Sequence, residues 1–454
     1  MATAVDVGLR SPVGGWGGGP RVRARVVSPA TPEAFADALC DAGAAGAIAR
    51  GNGRSYGDAA QRDGGLVLET SRLRQIALDE QDGTVDAEAG ATIGELVARL
   101  VPAGWMLPVV PGTQHATVGG AIASDVHGKN HVSAGSFVHH LDSITLLTAA
   151  GTVRRLEPER HRDLFFATVG GMGLTGIVLS ARLRVERLAT TTVAVDTDRV
   201  NDLDAVLAVL EDTTAGPERV AWLDLLGPRS VRGIVTASSR DALGPGLTGS
   251  PGQATVEPGM KVPEHWPGGL LRPGAVRALN DLRWRRAPRC ERGRPRRLGA
   301  QLFPLDALAH WPRLYGQHGL IQYQFAVPAG REDVLTTAIG RLRAAGAPCY
   351  LAVLKRFGDR RGGPLSFPIR GWTLALDIPA AAPRLMATLD SIDEFVAGAG
   401  GRVYLTKDAR LGGDMLRTMY PLLPAWQRTR RQIDPEGLWR SDLAVRTGLL
   451  EVAP

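Results

Sequence analysis

The sequence predicts an α+β fold in two domains, and three observations support this. At 454 residues the chain is longer than one ordinary hydrophobic core supports. Residues 1–187 alternate short β-like runs with glycine-rich turns, whereas residues 188–400 contain longer strands of alternating polarity. Such strands favour one antiparallel sheet that carries helices on a face. We expect residues 401–454 to return to the first domain.

The first domain contains short strands, one capped helix and three glycine-rich loops. Strands are expected at GGLVLET and GIVLSARLRVERL, and a hairpin at SITLLTAAGTVRRL. Thr92 and Glu95 have the spacing of a capping box, so an amphipathic helix begins near Thr92. The loops GNGRSYGD, GGAIASDVHG and VGGMGLTG permit close backbone approach to a bulky partner, and amides in such turns bind pyrophosphate.

The stretch GMGLTG, residues 171–176, satisfies the G-x-G-x-x-G pattern of dinucleotide-binding proteins. That fingerprint follows a strand and opens a helix, but here a strand, IVLSARLRV, comes next. A nicotinamide-binding Rossmann site is therefore not supported.

In the second domain, strands are expected at RVAWLDLL, GLIQYQFAVP, PCYLAVLKRFG and GWTLALDIPA, and a helix at REDVLTTAIGRLRAAG. A segment near 240–300 is rich in Gly, Pro and Arg, which predicts mobility. Within it, residues 282–299 carry eight arginines and one glutamate. This cluster is either a solvated loop or a site for phosphate groups of a lipid or substrate. Nucleic acid is disfavoured because no nucleic-acid-binding motif accompanies it.

Composition disfavours several classes of protein, among them membrane-spanning, secreted, disulfide-rich and metal-binding proteins. No apolar run approaches the roughly 20 residues that cross a bilayer, and the first residues lack signal-peptide character, so a cytoplasmic or membrane-peripheral protein is expected. Cys40, Cys290 and Cys349 are too few and too widely spaced for a disulfide framework or a cysteine zinc site. No carboxylates accompany the histidines at metal-ligand spacing, so no metal is expected.

Eight stretches, taken in order, carry a resemblance that covers almost the whole chain. They are GWG at 15, ARGNGRSYGDAAQ at 49, PVVPGTQHATVGGAIASDVHGKNHVSAGSF at 108, GGMGLTGIV at 170, QYQF at 322, LKRFG at 354, PLSFPIRGW at 364 and VYLTKDAR at 403. With them the sequence resembles the vanillyl-alcohol-oxidase (PCMH-type) FAD-dependent oxidoreductases. Within that group it is similar to the decaprenylphosphoryl-β-D-ribose 2'-oxidases of actinobacterial cell-wall (arabinogalactan) synthesis. The resemblance implies the two-domain PCMH-type fold with an antiparallel-sheet substrate domain.

The resemblance also implies where FAD binds. Loop 51–57 is expected at the pyrophosphate, the stretch 111–137 along the isoalloxazine, and Gly176 with Ile177 beside the adenosine. Many relatives attach FAD covalently through a histidine at the position of Arg54, so noncovalent FAD is expected here. The cofactor-binding residues so implied are Asn52, Gly53, Arg54, Ser55, Tyr56, Gly57, Gly112, Thr113, Gly119, Ala123, Ser124, His127, Gly128, Asn130, Gly176, Ile177 and Tyr404.

His127 and Lys129 lie two residues apart, so on an extended segment both would point the same way. Taken alone, they fit a structural or solvent-exposed role better than a catalytic one. The resemblance reverses this for His127 and implies a catalytic role for Tyr404 and Lys407 as well. A buried ammonium at Lys407 would stabilise an anionic reduced flavin or orient a sugar hydroxyl. His115, His131, His139 and His140 have no such support.

The substrate-binding residues implied by the resemblance are Tyr56, Lys129, Trp222, Gln322, Gln324, Lys355, Ala375 and Lys407. Phe303, Phe367 and Trp372 are further candidates for apolar walls, or for core. Family members sensitive to covalent nitroaromatic inhibitors carry cysteine where Ala375 stands, so no thiol adduct is expected here.

The implied reaction is FAD-dependent oxidation of the 2'-hydroxyl of decaprenylphosphoryl-β-D-ribose to the 2'-keto sugar, with a base near His127 or Lys407. This is the first half of an epimerisation to an arabinose donor, and a short-chain dehydrogenase is the expected partner. Two alternatives stay open: an oxidase of a soluble sugar, polyol or aldonolactone, and a basic binding protein without turnover.

Overall fold

The computed structural model describes residues 10–212, 214, 216–227, 231–240, 254–264 and 271–450. Helices and largely antiparallel sheets are mixed along it, which confirms the predicted α+β class. Within these ranges the strands form sheets of four, five and eight strands and two short pairs.

The first half of the chain holds the two smaller sheets. The four-stranded sheet has the order β1-β2-β4-β3 and the five-stranded sheet the order β5-β6-β10-β8-β9. The capping box at Thr92 and Glu95 is present at the start of α2, as predicted. The elements are β1 (Arg10–Val13), β2 (Val22–Val27), α1 (Pro32–Cys40), β3 (Ala47–Arg50), β4 (Leu66–Glu69), β5 (Ile76–Asp79), β6 (Thr84–Glu88), α2 (Ile93–Leu100), β7 (Trp105–Met106), α3 (Val118–Ala123), α4 (His131–Ala134), β8 (Leu141–Leu147), β9 (Val153–Leu156), α5 (Arg162–Thr168), β10 (Ile177–Arg184) and β11 (Glu186–Arg187), with 3-10 turns at Val101–Ala103 and Phe137–His140.

The second half is built on one eight-stranded antiparallel sheet in the order β16-β12-β14-β13-β19-β20-β18-β21. Its elements, with the C-terminal helices, are β12 (Thr192–Val200), α6 (Leu203–Glu211), β13 (Glu218–Asp224), β14 (Arg232–Ser239), β15 (Met260–Lys261), α7 (Pro273–Arg286), β16 (Cys290–Arg297), α8 (Leu298–Leu302), β17 (Leu308–Ala309), β18 (Leu320–Pro328), α9 (Asp333–Ala344), β19 (Leu351–Phe357), β20 (Gly371–Pro379), α10 (Leu385–Gly398), β21 (Arg402–Val403), α11 (Gly413–Met419), α12 (Leu423–Ile433) and α13 (Asp442–Arg446), with 3-10 turns at Pro304–Ala307 and Trp311–Tyr315.

Strand β18 shows how this sheet separates core from cavity. Tyr323 and Phe325 are buried in one apolar cluster with residues of α9 and α10, including Leu335 and Leu389. Because side chains alternate along a strand, the intervening glutamines point to the opposite face. The helices therefore cover one face of the sheet and leave the other for the cavity.

The C-terminal segment lies against the first half. Trp439 is fully buried in a cluster with Phe35 and Leu66, and it bridges to Ala47 at the end of the four-stranded sheet. Trp426 Nε1 donates to the carbonyl of Ala167, 2.9 Å away. The boundaries at 187 and 400 stay predictions, since these contacts do not define where one domain ends.

The arginine-rich segment, for which mobility stays a prediction, contains regular elements. Among its described residues, 273–286 form α7 and 290–297 form β16, an edge strand paired with β12. Its arginines are largely exposed, so the backbone pairs while the charges stay solvated. Residues 241–253 and 265–270 of the predicted mobile segment lie outside the described residues.

Candidate active site

A cavity lies between the loops of the first half and the uncovered face of the large sheet. Four parts of the chain line it: loops of the first half, the 3-10 turns between α8 and β18, strands β18 to β20, and the segment after β21. The lining residues used below are Trp16, Asn52, Gly53, Arg54, Ser55, Tyr56, Gly112, Thr113, Gly119, Ala123, Ser124, His127, Gly176, Asp306, Trp311, Gln322, Gln324, Lys355, Ala375, Asp377, Tyr404 and Lys407.

Strand register places the polar side chains of the sheet together. Gln324 pairs with Ala375, and Gln322 pairs with Asp377, on β18 and β20. Each pair is two residues from the other, so all four side chains share one face. Lys355, on β19, lies on the same cavity wall. Charged and amide groups thus line one wall of an otherwise apolar sheet.

Asp377 and Lys407 are two groups of this cavity whose opposite charges interact. Gln322 Nε2 donates to Asp377 Oδ1 at 2.6 Å, and Asp377 Oδ2 is buried with no hydrogen-bond partner among the described residues. Burial raises the pKa of Asp377 to about 7, although the Gln322 hydrogen bond and the Lys407 ammonium lower it. Burial lowers the pKa of Lys407 to about 8, opposed by the Asp377 carboxylate.

Lys407 Nζ lies 3.9 Å from the centroid of the Tyr56 ring, a cation–π contact. Lys355 is the second buried ammonium of the site. Burial, followed by repulsion from Lys129 and Lys407, lowers the pKa of Lys355 to about 7. The site therefore gathers several buried amines around one carboxylate, an arrangement that favours anionic or strongly dipolar ligands.

His127 is buried in an aromatic environment. Its ring lies 4.8 Å from the centroid of Phe357 and 5.3 Å from that of Tyr404. Nε2 accepts from Gln324 Nε2 at 3.3 Å, so the ring proton sits on Nδ1, which has no partner among the described residues. Burial, together with Lys355, His131 and Lys407, holds the pKa of His127 well below its usual range. The ring is neutral and offers one buried donor.

Tyr404 connects the C-terminal segment to the loops of the first half. Its hydroxyl donates to the carbonyl of Ser124 at 2.9 Å, and its ring stacks on Phe367 with centroids 4.5 Å apart. Burial raises the pKa of the Tyr404 hydroxyl. The tyrosine is thus a neutral donor whose proton is already engaged.

Loop 51–57 presents backbone donors to the cavity. Gly53 has φ +58°, and a Cβ at Gly51 would lie 2.2 Å from Thr117 Oγ1, so both positions require glycine. The amides of residues 52–55 donate no hydrogen bond within the described part of the chain. Successive free amides around a left-handed residue form an anion-binding nest.

Arg54 adds positive charge beside this nest. Its guanidinium stacks on Trp16, 3.7 Å from the ring centroid, and its buried Nε has no partner among the described residues. Across the cavity, Asp306 fixes the next loop by accepting from Thr113 Oγ1 at 2.9 Å and from the amide of Gln114 at 2.7 Å. Both loops are therefore held in place by the protein itself.

Comparison with known proteins identifies this architecture. Residues 23–157 match a family described as an FAD binding domain. The chain is 38% identical over 448 residues to the decaprenylphosphoryl-β-D-ribose oxidase of Mycolicibacterium smegmatis, covering 96% of this chain and 97% of that protein. The chain belongs to the decaprenylphosphoryl-β-D-ribose oxidase family. It is an FAD-dependent oxidoreductase with the PCMH-type fold, as the sequence predicted.

Two further relatives differ in how much of this chain they match. A Streptomyces coelicolor protein, named as an uncharacterized protein in the mprA 5' region, is 42% identical over 373 residues, covering 79% of this chain and all of that protein. The human Δ(24)-sterol reductase is 32% identical over 120 residues, 26% of this chain and 22% of the reductase. The short second match is confined to a quarter of the chain, whereas the oxidase family match extends through both halves.

The residues present fit the FAD that this oxidase family uses. The free amides of loop 52–55 and the Arg54 guanidinium suit a pyrophosphate, and the unpartnered Nδ1 proton of His127 suits a carbonyl-rich ring system. Gly112 has no atom within 4 Å of the place its Cβ would take, so its missing side chain leaves room in the cavity. These residues would hold the cofactor.

Most of the predicted site residues line the cavity, and six do not. Lys129 fails to accompany His127 because the chain turns at 129–130: Lys129 Nζ donates to the carbonyl of Gln301, and Asn130 Nδ2 donates to that of Pro108 at 2.9 Å. The six residues outside the lining are Gly57, Gly128, Lys129, Asn130, Ile177 and Trp222.

The other four have packing roles. A Cβ at Gly57 would lie 2.0 Å from the carbonyl of Asp408, and one at Gly128 would lie 2.6 Å from Asn130 Oδ1. Ile177 is in the core of the first half. Trp222 is buried on β13, with Arg283 stacked 4.6 Å from its ring. Any role of these residues towards ligands would be indirect.

Two predicted backbone donors are also engaged elsewhere. The amide of Gly119 donates to the carbonyl of Ala89 at 2.9 Å, and that of Ser124 donates to Gly120 at 3.1 Å. Both residues line the cavity without a free N–H, because their amides already donate to the carbonyls of Ala89 and Gly120. Phe303 and Trp372 are core residues, whereas Phe367 packs on His127.

Sequence reasoning missed Asp377, Asp306, Trp16 and Trp311. A usable signal existed for Asp377, since it is the one charged residue in GWTLALDIP and follows Ala375 by two positions. Within the described ranges no three His, Cys, Asp or Glu side chains gather as a metal site, and no helix there is long and apolar enough to cross a bilayer.

Proposed function

We propose that the protein oxidises the 2'-hydroxyl of a polyprenylphosphoryl-β-D-ribose to the 2'-keto sugar, using noncovalently bound FAD. The observation that carries this proposal is the cavity wall where Lys407, Asp377 and two glutamines converge beside the neutral His127. Near-complete coverage of a relative named for that oxidation supports the substrate class. FAD supplies the hydride acceptor when bound.

The chain's own groups bind and orient the sugar. Gln322 and Gln324 offer amide groups for sugar hydroxyls, and the Lys407 ammonium stabilises negative charge that develops in the cavity. The apolar surroundings strengthen each of these interactions because the effective dielectric is low. Arg54 stands where covalent relatives carry a histidine, and the three cysteines lie outside the cavity lining, which supports noncovalent attachment.

Anaerobic flavin bleaching tests the substrate. Polyprenylphosphoryl-ribose with a shortened lipid is expected to bleach the flavin, and an aldonolactone or free polyol is not. Bleaching by the soluble compounds alone would replace the proposed substrate by the alternative. Lys407→Ala is expected to slow bleaching by about 100-fold or more while keeping the flavin spectrum; an unchanged rate would remove Lys407 from the mechanism.

Acid precipitation tests how FAD is held. The yellow colour is expected in the supernatant, whereas colour in the pellet would contradict noncovalent binding. The keto product requires a reduction that returns the sugar with inverted configuration, and we propose a nicotinamide-dependent short-chain dehydrogenase as the partner. Coupled assays with such a reductase should convert the accumulated keto sugar to the arabinose epimer.

A further inference from the structure

We propose that Asp377 is the catalytic base of this site and takes the hydroxyl proton directly on Oδ2. The inference rests on the proposed function and names a residue that the sequence analysis did not single out. Of the two carboxylates that line the cavity in the described part of the chain, Asp377 alone has a free oxygen.

Asp306, the other carboxylate, is not available. Its oxygens accept from the Thr113 hydroxyl at 2.9 and 3.1 Å and from the Gln114 amide at 2.7 Å. Protonating it would release loop 113–114, which lines the cavity. Asp306 therefore anchors the loop, and its proton-accepting capacity is already used.

The basic candidates are also unsuited to accept a proton. His127 Nε2 already accepts from Gln324, and Nδ1 carries the ring proton, so this ring is a donor towards any ligand. Burial lowers the pKa of Lys407 to about 8, opposed by Asp377, so Lys407 is mainly an ammonium at neutral pH. Tyr404 spends its hydroxyl proton on the Ser124 carbonyl. Each of these three groups can orient or donate. Lys355 is another cavity group that titrates near neutrality, since burial lowers its pKa to about 7, and loss of the acid limb in Asp377→Asn distinguishes the carboxylate from this amine.

Asp377 has the geometry that a base needs. Oδ1 is fixed by Gln322 Nε2 at 2.6 Å, which sets the plane of the carboxyl group. The side chain is 1% exposed, so bulk water does not compete for Oδ2. In the reaction, the hydroxyl O–H bond breaks and its proton bonds to Oδ2. The C=O bond would form as the C2'–H electron pair leaves, and FAD, when bound, would supply the hydride acceptor.

The groups that face Asp377 tune this chemistry from each neighbouring element. Gln322 comes from β18 and Lys407 from the segment after β21, and both favour the carboxylate. Tyr56 from the loop of the first half, and Tyr315 and Cys349 beside the sheet, are buried neutral groups whose pKa values the Asp377 charge helps to raise. With its pKa raised to about 7, the carboxyl is a stronger base than an ordinary aspartate, and it is half ionised near neutrality.

Asp377→Asn is the decisive variant because it keeps the shape of the side chain and a partner for Gln322. For the wild type, the rate of flavin bleaching is expected to fall below about pH 7, as Oδ2 becomes protonated. The variant should bleach about 10²- to 10⁴-fold more slowly, and its rate should no longer show this acid limb. An unchanged rate, or the same acid limb in the variant, would overturn the assignment.

Gln322→Met is a second variant. Its pH profile distinguishes a role of Asp377 in proton transfer from a merely structural role. Losing the hydrogen bond to Oδ1 removes stabilisation of the carboxylate, so the acid limb should move to higher pH. Glu332→Gln is the matched control. Glu332 accepts from Trp372 Nε1 at 2.7 Å, on the far side of the sheet, and the amide can keep that contact. Its pH profile should match that of the wild type.

Infrared spectroscopy gives a readout that needs no substrate. A protonated-carboxyl band should titrate near pH 7 in the resting protein and be absent from Asp377→Asn. If the band is present but wild-type flavin is not bleached by polyprenylphosphoryl-ribose, the proposed substrate fails and the titration of Asp377 stands. If bleaching occurs and the band is missing, Asp377 is not the base.

Discussion

Ala375 is a cavity residue at which a single substitution should make the protein reactive towards nitroaromatic inhibitors. It lies on β20, paired with Gln324 and Val353, and lines the cavity. Ala375→Cys should place a thiol on that wall, so that a nitroaromatic inhibitor activated by the reduced flavin forms a covalent adduct. Intact-protein mass spectrometry after turnover should show the added mass in the variant and none in the wild type, whose Cys40, Cys290 and Cys349 all lie outside the cavity lining. An adduct on the wild type would contradict the assignment of Ala375.

The same wall shows what sequence can and cannot give at this scale. Ala375, Gln322 and Gln324 were placed in the cavity by resemblance, and strand alternation alone would have put Asp377 beside them. Lys129 was misplaced because the two-residue spacing from His127 assumed an extended chain, and a turn intervenes. Side-chain direction in irregular loops depends on backbone angles that neighbouring residues and distant contacts decide together.

Among the loops, Gly112 is a position where an added side chain should affect cofactor binding but not the stability of the fold. A Cβ there meets no protein atom within 4 Å, so Gly112→Ala should leave the melting temperature of the FAD-free protein unchanged. The added methyl group intrudes on the cavity, and FAD binding should weaken by about 10-fold or more. Titration of FAD by fluorescence measures this. The control is Gly340→Ala, equally open but in α9, which should keep FAD affinity.

Helix α7 and strand β16 form the part of the chain that is most suited to a membrane-borne substrate. Residues 271–297 hold ten arginines against Asp281 and Glu291, a net charge of +8 that exceeds the +7 of the whole chain. Leu279 and Leu282 on α7 are 61% and 44% exposed. Exposed arginines with neighbouring apolar side chains favour an anionic bilayer surface.

Replacing Arg286, Arg289 and Arg296 by serine should therefore weaken binding to phosphatidylglycerol vesicles by about 10- to 100-fold, with flavin content unchanged. Vesicle sedimentation measures it. The control replaces three exposed arginines of the first half, Arg154, Arg155 and Arg160. Equal losses in both triple variants would indicate a general charge effect rather than a docking element.

The sequence pattern predicted whether an element is a helix or a strand more reliably than it predicted which segments form regular structure. The alternating strands and the capped helix α2 were predicted from periodicity and from the Thr92–Glu95 spacing, which are local properties. The arginine-rich segment was expected to be mobile because glycine, proline and charge dominate its composition. Its described part contains helix α7 and the edge strand β16, which pairs with β12, a partner about a hundred residues earlier. Local composition does not encode that pairing.

At the scale of the whole molecule, one arginine joins the two halves of the active site. Arg446, on α13, binds both oxygens of Asp58 at 2.8 and 2.9 Å and Asp408 Oδ2 at 2.9 Å. Asp58 follows the loop that presents backbone amides to the cofactor, and Asp408 follows Lys407. The C-terminal helix thus fixes the distance between loop 51–57 and Lys407.

Arg446→Met should disturb both sides of the cavity at once, although residue 446 lines neither. Asp408 is 2% exposed in its side chain and would lose its cation, so the free energy of unfolding should fall by about 3–5 kcal/mol. FAD affinity and the bleaching rate should fall together, because the two loops lose a common anchor. The surface pair Arg417–Asp414, 60% and 100% exposed, supplies the control: Arg417→Met should change stability by less than about 1 kcal/mol. Denaturant unfolding and flavin titration on both variants measure this, and loss of stability with normal FAD affinity would show that the two loops are positioned independently.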